Sequence, residues 1–177
     1  MKSVLTPFIL LLAMAAAAET PGEVPAGGIL REATMRGLNG PDAKLSAYRG
    51  KPLIINVWAS WCGPCRDEMT SLERVSRGSG GKFVVIGIST DDYADRAKAY
   101  LKKANTSFRH FIDDHLFLEN MLGADRIPVT LLVDAKGRII QKFYGAKEWD
   151  GAEAQVVIET AFGIRMQAAP TSAKGTR

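Results

Sequence analysis

Cys62 and Cys65 are the only cysteines in the chain, and Gly63 and Pro64 lie between them. A disulfide across so short a ring removes only about 2 kcal/mol of unfolded-state entropy, near the bottom of what such bonds contribute. As a staple the pair is poor, but as a reversible dithiol it is well placed. A strand-like run precedes it and a helix-like run follows it. Cys62 therefore falls at a helix N-terminus, where unpaired N–H groups and the helix dipole favour thiolate. Cys65, one turn behind, can attack a mixed disulfide formed at Cys62. The chemistry this predicts is thiol–disulfide exchange, with Cys62 as the exposed nucleophile and Cys65 as the shielded resolving thiol.

Resolution requires Cys65 to lose a proton. Glu68 follows it by three residues, on roughly the same face of the expected helix, and burial would raise its pKa toward the working range. The residues alone leave open a solvated surface carboxylate, which is how Asp67 and Glu73 on the same helix read. Asn56, in an otherwise apolar strand, needs partners for its amide and reads as a structural hydrogen-bond hub beneath the disulfide. Pro128 opens a later strand, where its missing N–H does least harm. Trp61, beside Cys62, reads as a half-exposed platform for a partner, and Trp58 as core. Arg126 reads as a solvated arginine in preference to a contact for an acidic substrate.

These residues need a scaffold, and the periodicity supplies one. Leu53 to Trp58 is a short apolar, β-branched run, as expected of a strand buried on both faces. Cys65, Met69, Leu72 and Val75 recur at helical spacing until Gly78, Gly80 and Gly81. Phe83 to Ile88 is a second buried strand. Asp91 or Asp92 is expected to cap a helix whose face is Tyr93, Ala97, Tyr100, Leu101 and Ala104. Phe108 to Ile112 reads as a strand and Leu116 to Leu122 as a short helix ending at Gly123. Val129 to Val133 and Arg138 to Tyr144 form a hairpin around Asp134-Ala135-Lys136-Gly137. A last helix runs from Asp150 to about Phe162, with Ala154, Val157, Ile158 and Ala161 inward. Strands separated by helices, then a hairpin, predict an α/β domain whose central mixed sheet carries helices on both faces.

The chain has 177 residues, enough for one domain with extensions, and its 46% hydrophobic and 24% charged residues are globular in balance. A net charge of +4, spread without a basic block, gives no indication of nucleic-acid binding. Residues 1–18 read as a secretory leader: Lys2, the apolar run Val4 to Ala16 broken by Thr6 and Pro7, then Ala16-Ala17-Ala18, with cleavage before Glu19. An uncleaved membrane anchor is the alternative, although the apolar stretch is shorter than the roughly 20 residues a spanning helix needs. Residues 19–31, rich in Pro, Gly and Ala, read as a linker, 32–163 as the domain, and 164–177 as a flexible tail. Export would place the dithiol in an oxidising compartment, where a reductant must be recharged by a partner.

The pattern Cys62-x2-Cys65 with His110-x4-His115 imitates a zinc site. The 44 residues between Cys65 and His110 include an expected strand and helix, far from the dozen of a finger. No metal is expected, and both histidines read as surface or hydrogen-bonded residues. Transient copper(I) on the soft thiolates is chemically more credible.

The motifs resemble a known family. Trp61-Cys62-Gly63-Pro64-Cys65 after a buried strand, with Ile127-Pro128 opening a later one, resembles the thioredoxin fold, and more closely the exported TlpA-, ResA- and CcmG-like thiol–disulfide reductases. Asn56-Val57-Trp58-Ala59-Ser60-Trp61-Cys62 matches that family's Asn-Phe-Trp-Ala-x-Trp-Cys, and Cys65-Arg66-Asp67-Glu68 its Cys-Arg-x-Glu. Leu45 to Lys51 resembles its lead-in, and Ile86 to Ile112 adds the strand–helix insertion that plain thioredoxin lacks. The resemblance covers roughly residues 32–163. Relatives usually carry Pro where this chain has Thr70.

From this resemblance follow further expectations. Plain thioredoxins hold a buried Asp at the position of Asn56, which cannot titrate, so Glu68 is expected to tune the cysteines in its place. A cis bond between Ile127 and Pro128 should set backbone beside the disulfide, where a substrate strand can pair. Gly63-Pro64 resembles reducing members, whereas oxidising relatives usually carry Pro-His. The implied function is reduction of disulfides in particular partner proteins, in cytochrome c maturation or copper-centre assembly. The implied electron donor is a membrane dithiol carrier of the DsbD or CcdA type, and the implied location the periplasm. A disulfide-introducing oxidant and a copper(I)-binding module are the alternatives. Specificity is expected around Trp61, Ile127 and the loop Gly145 to Asp150.

Overall fold

The computed structural model describes residues 21–166. The expected leader lies outside them. Among the described residues no helix is long and apolar enough to cross a membrane. The elements in order are β1 (Thr34–Gly37), β2 (Ala43–Lys44), a 3-10 turn (Leu45–Tyr48), β3 (Leu53–Trp58), α1 (Gly63–Gly78), β4 (Val84–Ser89), α2 (Ala94–Ala104), β5 (Arg109–Ile112), α3 (Phe117–Leu122), β6 (Val129–Val133), β7 (Ile139–Tyr144) and α4 (Ala152–Phe162). They build one seven-stranded sheet in the order β2-β1-β5-β4-β3-β6-β7. The central strands β3, β4 and β5 run parallel, and β6, β7, β1 and β2 extend the sheet antiparallel on both sides.

Because successive side chains on a strand point to opposite faces, β3 divides its residues between two cores. Leu53, Ile55 and Val57 pack on the face that carries α3 and the 3-10 turn. Ile54 and Trp58 pack on the other, with Met69 and Leu72 of α1, Leu101 of α2 and Ile158 of α4. Asn56 shares their parity, and its cross-strand partner is Thr130 of β6. The sheet thus presents a polar pair to the underside of α1. Both cysteines belong to this second core.

The structure departs from the sequence expectations at several places. Residues 21–31 are not a free linker: Val24 and Leu30 are buried, and Val24 N donates to Met121 O at 2.9 Å. Lys142 pairs there with Glu23, both side chains largely buried. The β1–β2 hairpin went unread in a run with little apolar alternation. Its turn requires glycine at 37, where a Cβ would lie 2.0 Å from Gly40 O.

Neither Asp91 nor Asp92 caps α2, whose first turn has no side-chain cap. Asp91 is buried and turned toward the loop before Cys62, accepting from Ser60 N (2.9 Å), Ser60 Oγ (2.6 Å) and Ser89 Oγ (2.7 Å). Tyr93, expected inward, is exposed. Glu73 is buried instead of solvated, because Ser107 N (2.7 Å) and Arg77 Nε (2.5 Å) both donate to its carboxylate. His110 is fully buried among Trp58, Phe108 and Thr106, while His115 is exposed. Thr70 is exposed in an uninterrupted α1.

Candidate active site

β3 ends at Trp58 and α1 begins at Gly63, so a four-residue connection delivers Cys62 to the helix N-cap. Pro64 sits in the first turn, where its fixed φ suits the helix and its missing N–H leaves no donor unpaired. Cys65 N donates to Cys62 Sγ at 3.2 Å, directing a backbone dipole at that sulfur. Cys62 and Cys65 form a disulfide with Cα atoms 5.3 Å apart.

The difference in exposure between the two cysteines is smaller than expected: Cys62 is 5% exposed and Cys65 fully buried. Cys62 is covered because the Ile127–Pro128 bond is cis and lays the strand entrance alongside it, with Ile127 O 3.9 Å from Cys62 Sγ. Pro128 is buried and Ile127 half-buried. Trp61, next to Cys62, is 68% exposed. Arg126 is exposed, with its guanidinium stacked 4.7 Å from the Tyr144 ring centroid.

Glu68 lies on the buried side of α1, 2% exposed. Asn56 Nδ2 donates to its Oε1 at 2.6 Å, and Trp149 Nε1 (3.1 Å) and Lys147 N (3.2 Å) donate to its Oε2. Burial dominates and raises the pKa to about 7, against the hydrogen bonds from Trp149, Asn56 and Lys147, which favour the anion. An opening of about 140 Å³ lined by Asp67, Ala146, Lys147 and Glu148 reaches the same carboxyl from outside. Its raised pKa places its change of protonation near neutrality. Asn56 Nδ2 also donates to Thr130 Oγ1 at 3.0 Å, which makes Asn56 the link between sheet and carboxyl.

Three partners of this arrangement escaped the sequence reading: Trp149, Ser71 and Thr130. Trp149 is fully buried in the loop after β7, and its backbone N–H donates to Ser71 Oγ at 3.1 Å. A lone tryptophan among Lys147, Glu148 and Asp150 was the available signal. Among the described residues, no group of three His, Cys, Asp or Glu side chains is arranged to hold a metal ion.

Cysteines so placed beyond the end of β3 in a thioredoxin-like sheet open and close their disulfide in exchange with another, the chemistry of the thiol–disulfide oxidoreductases. Residues 25–158 match the Redoxin family, and the chain belongs to it. It is 28% identical over 109 residues to the thiol-disulfide oxidoreductase ResA of Bacillus thuringiensis, covering 61% of this chain and 63% of that one. Identity to the thiol:disulfide interchange protein DsbE of Vibrio cholerae is 34% over 101 residues, 56% of this chain and 53% of the other. The chain thus aligns with less than two thirds of either relative. Among solved structures, a DsbF homologue from Corynebacterium diphtheriae superposes with a TM-score of 0.64 at 26% identity, over 75% of this chain and 83% of that one.

Proposed function

We propose that this protein is an exported reductant that opens disulfides in particular partner proteins, with Cys62, Cys65 and Glu68 as its catalytic residues. The observation that carries this reading is the buried Glu68 carboxyl, poised at about 7 one turn after Cys65. Strong oxidants of this chemistry gain their potential by stabilising the reduced, thiolate form. Here the titrating group beside the pair is an acid, whose negative charge disfavours thiolate, and Gly63-Pro64 supplies no cation.

In the reduced protein, Cys62 thiolate attacks one sulfur of the substrate disulfide. A mixed disulfide forms, and the other substrate sulfur departs and takes a proton. Glu68 carboxylate accepts the Cys65 proton, and the Cys65 thiolate then attacks Cys62 Sγ. The second substrate sulfur leaves as thiolate and takes up a proton, Glu68 gives up the one it accepted, and the Cys62–Cys65 disulfide closes. Two electrons and two protons have passed to the substrate. A membrane dithiol carrier of the DsbD or CcdA type then reduces the Cys62–Cys65 disulfide with two electrons and two protons of its own, and is left as a disulfide. Residues 1–18 act as the leader or anchor that puts the domain in the periplasm. Substrate backbone pairs at Ile127 and Pro128, against the platform of Trp61. The family resemblance of the motifs implies substrates of the cytochrome c maturation kind, for which a Cys-x-x-Cys-His peptide disulfide is the simplest probe.

The test is reduction of that peptide by the dithiol protein, with Cys65→Ser used to arrest the reaction. The expected result is stoichiometric peptide reduction by the native protein and a stable mixed disulfide through Cys62 in the variant. Oxidation of reduced peptide thiols by the disulfide form, without the reverse transfer, would assign the opposite role.

A further inference from the structure

Beside the disulfide, an open groove of about 500 Å³ separates the start of α1 from α2. Ser60 and Arg66 line its active-site end, and Arg96, Ala99, Tyr100 and Lys103 line its α2 wall. The α2 residues recur at i, i+3, i+4 and i+7, so they form one continuous helical face. Arg66 Nη2 lies 3.8 Å from where a Cβ on Gly63 would stand, so the groove opens next to the residues between the two cysteines. Tyr100 forms its floor, leaning on Trp58 with ring centroids 5.1 Å apart.

Its lining holds three cations and no carboxylate. Arg66, Arg96 and Lys103 are all exposed, and none joins an ion pair among the described residues. Asp67, the acid adjacent in sequence, lines the opening at Glu68, although its charge, like that of Arg66, also reaches Tyr100. An exposed aromatic adjoins this positive strip at Tyr93, with Arg96 stacked 5.5 Å from its ring, and the exposed Trp61 follows Ser60 in the chain. Unpaired like charges with apolar platforms alongside are the complement of an extended, negatively charged chain.

We propose that this groove docks an acidic polypeptide segment flanking the disulfide that Cys62 attacks, and so selects substrates by charge. The proposal rests on the reductase reading above and adds the recognition that reading leaves open. Its contribution is to the encounter: cations at the rim of a site mainly raise association rate and salt sensitivity.

Two disulfide peptides, identical except for flanking Asp/Glu or flanking Lys residues, test it. At low salt the native protein should reduce the acidic peptide with a kcat/KM about tenfold higher, a preference that fades as the Debye length shrinks below about 10 Å. The double variant Arg96→Glu, Lys103→Glu should reverse the preference, and Arg96→Gln, Lys103→Gln should abolish it without reversal. Equal rates for the two peptides, or a preference that survives both variants, would overturn the proposal. If the dithiol protein reduces neither peptide, it is the reductase reading that falls. Calorimetric binding of a cysteine-free acidic peptide then still decides the groove, supporting it if binding is lost in the double variant and sinking it if no binding occurs.

Discussion

Glu68 occupies a place where a carboxylate is difficult to keep charged, and three donors hold it there. Removing its charge while keeping its shape isolates its chemistry. Glu68→Gln should slow resolution of the mixed disulfide about 10²-fold at neutral pH and erase the rate inflection near 7. A pH–rate profile identical to the native one would remove Glu68 from the mechanism. Trp149→Phe deletes a donor that favours the anion, so the same inflection should move to higher pH, by about one unit if the lost bond is an ordinary charged one. Stopped-flow measurements of mixed-disulfide decay across pH read both effects. Spacing made Glu68 visible in the sequence, since i, i+3 on a helix puts it on the face of Cys65. Its depth was not visible, because the groups that enclose its carboxyl include Trp149 and Lys147, 81 and 79 residues further along the chain. No local pattern encodes a contact of that range.

At the scale of elements, the strands that carry the site were legible because they are buried on both faces and read as unbroken apolar runs. β1 and β2 were not, because they are short and polar, β1 drawing its pairing from the distant β5 and β2 from β1 alone. Close packing also sets limits that the sequence does not announce. A Cβ on Gly87 of β4 would lie 2.3 Å from His110 Nδ1 and 2.9 Å from Trp58 Nε1. Glycine is what lets β4 pass under these two rings. Gly87→Ala should therefore destabilise the fold by about 1–3 kcal/mol, seen as a lower urea midpoint with little change in slope. An unchanged midpoint would mean that β4 can move away from His110. The capping acids were misread for a related reason. Asp91 has a better set of donors in Ser60 and Ser89 than the first turn of α2 offers, so it steadies the loop before Cys62 instead.

For the whole molecule, two buried groups make stability depend on pH in opposite senses. Glu68 is raised from 4.5 to about 7 in the fold. Its contribution is fully present below 4.5 and is lost as pH rises through about 7, because the folded state holds the extra proton. His110, lowered from 6.5 to about 3 by burial, contributes fully above 6.5, and that contribution is lost as pH falls toward 3. The unfolding free energy of the oxidised Glu68→Gln protein, relative to native, should therefore grow with pH between 4.5 and about 7, by at most about 1.4 kcal/mol per unit. The His110→Gln protein should gain on native as pH falls below 6.5. Urea titrations at several pH values check both, and a pH-independent difference in either case would place that group's folded pKa at its unfolded value.

The direction of electron flow is the central claim, and the equilibrium reduction potential of Cys62–Cys65 tests it most directly. Redox titration of residues 19–177 against glutathione or dithiothreitol, followed by tryptophan fluorescence, gives the value. A reductant with an acid beside its cysteines should lie near thioredoxin, at about −270 mV. A potential near that of the strong oxidant DsbA, about −120 mV, would contradict the account and make this protein a donor of disulfides.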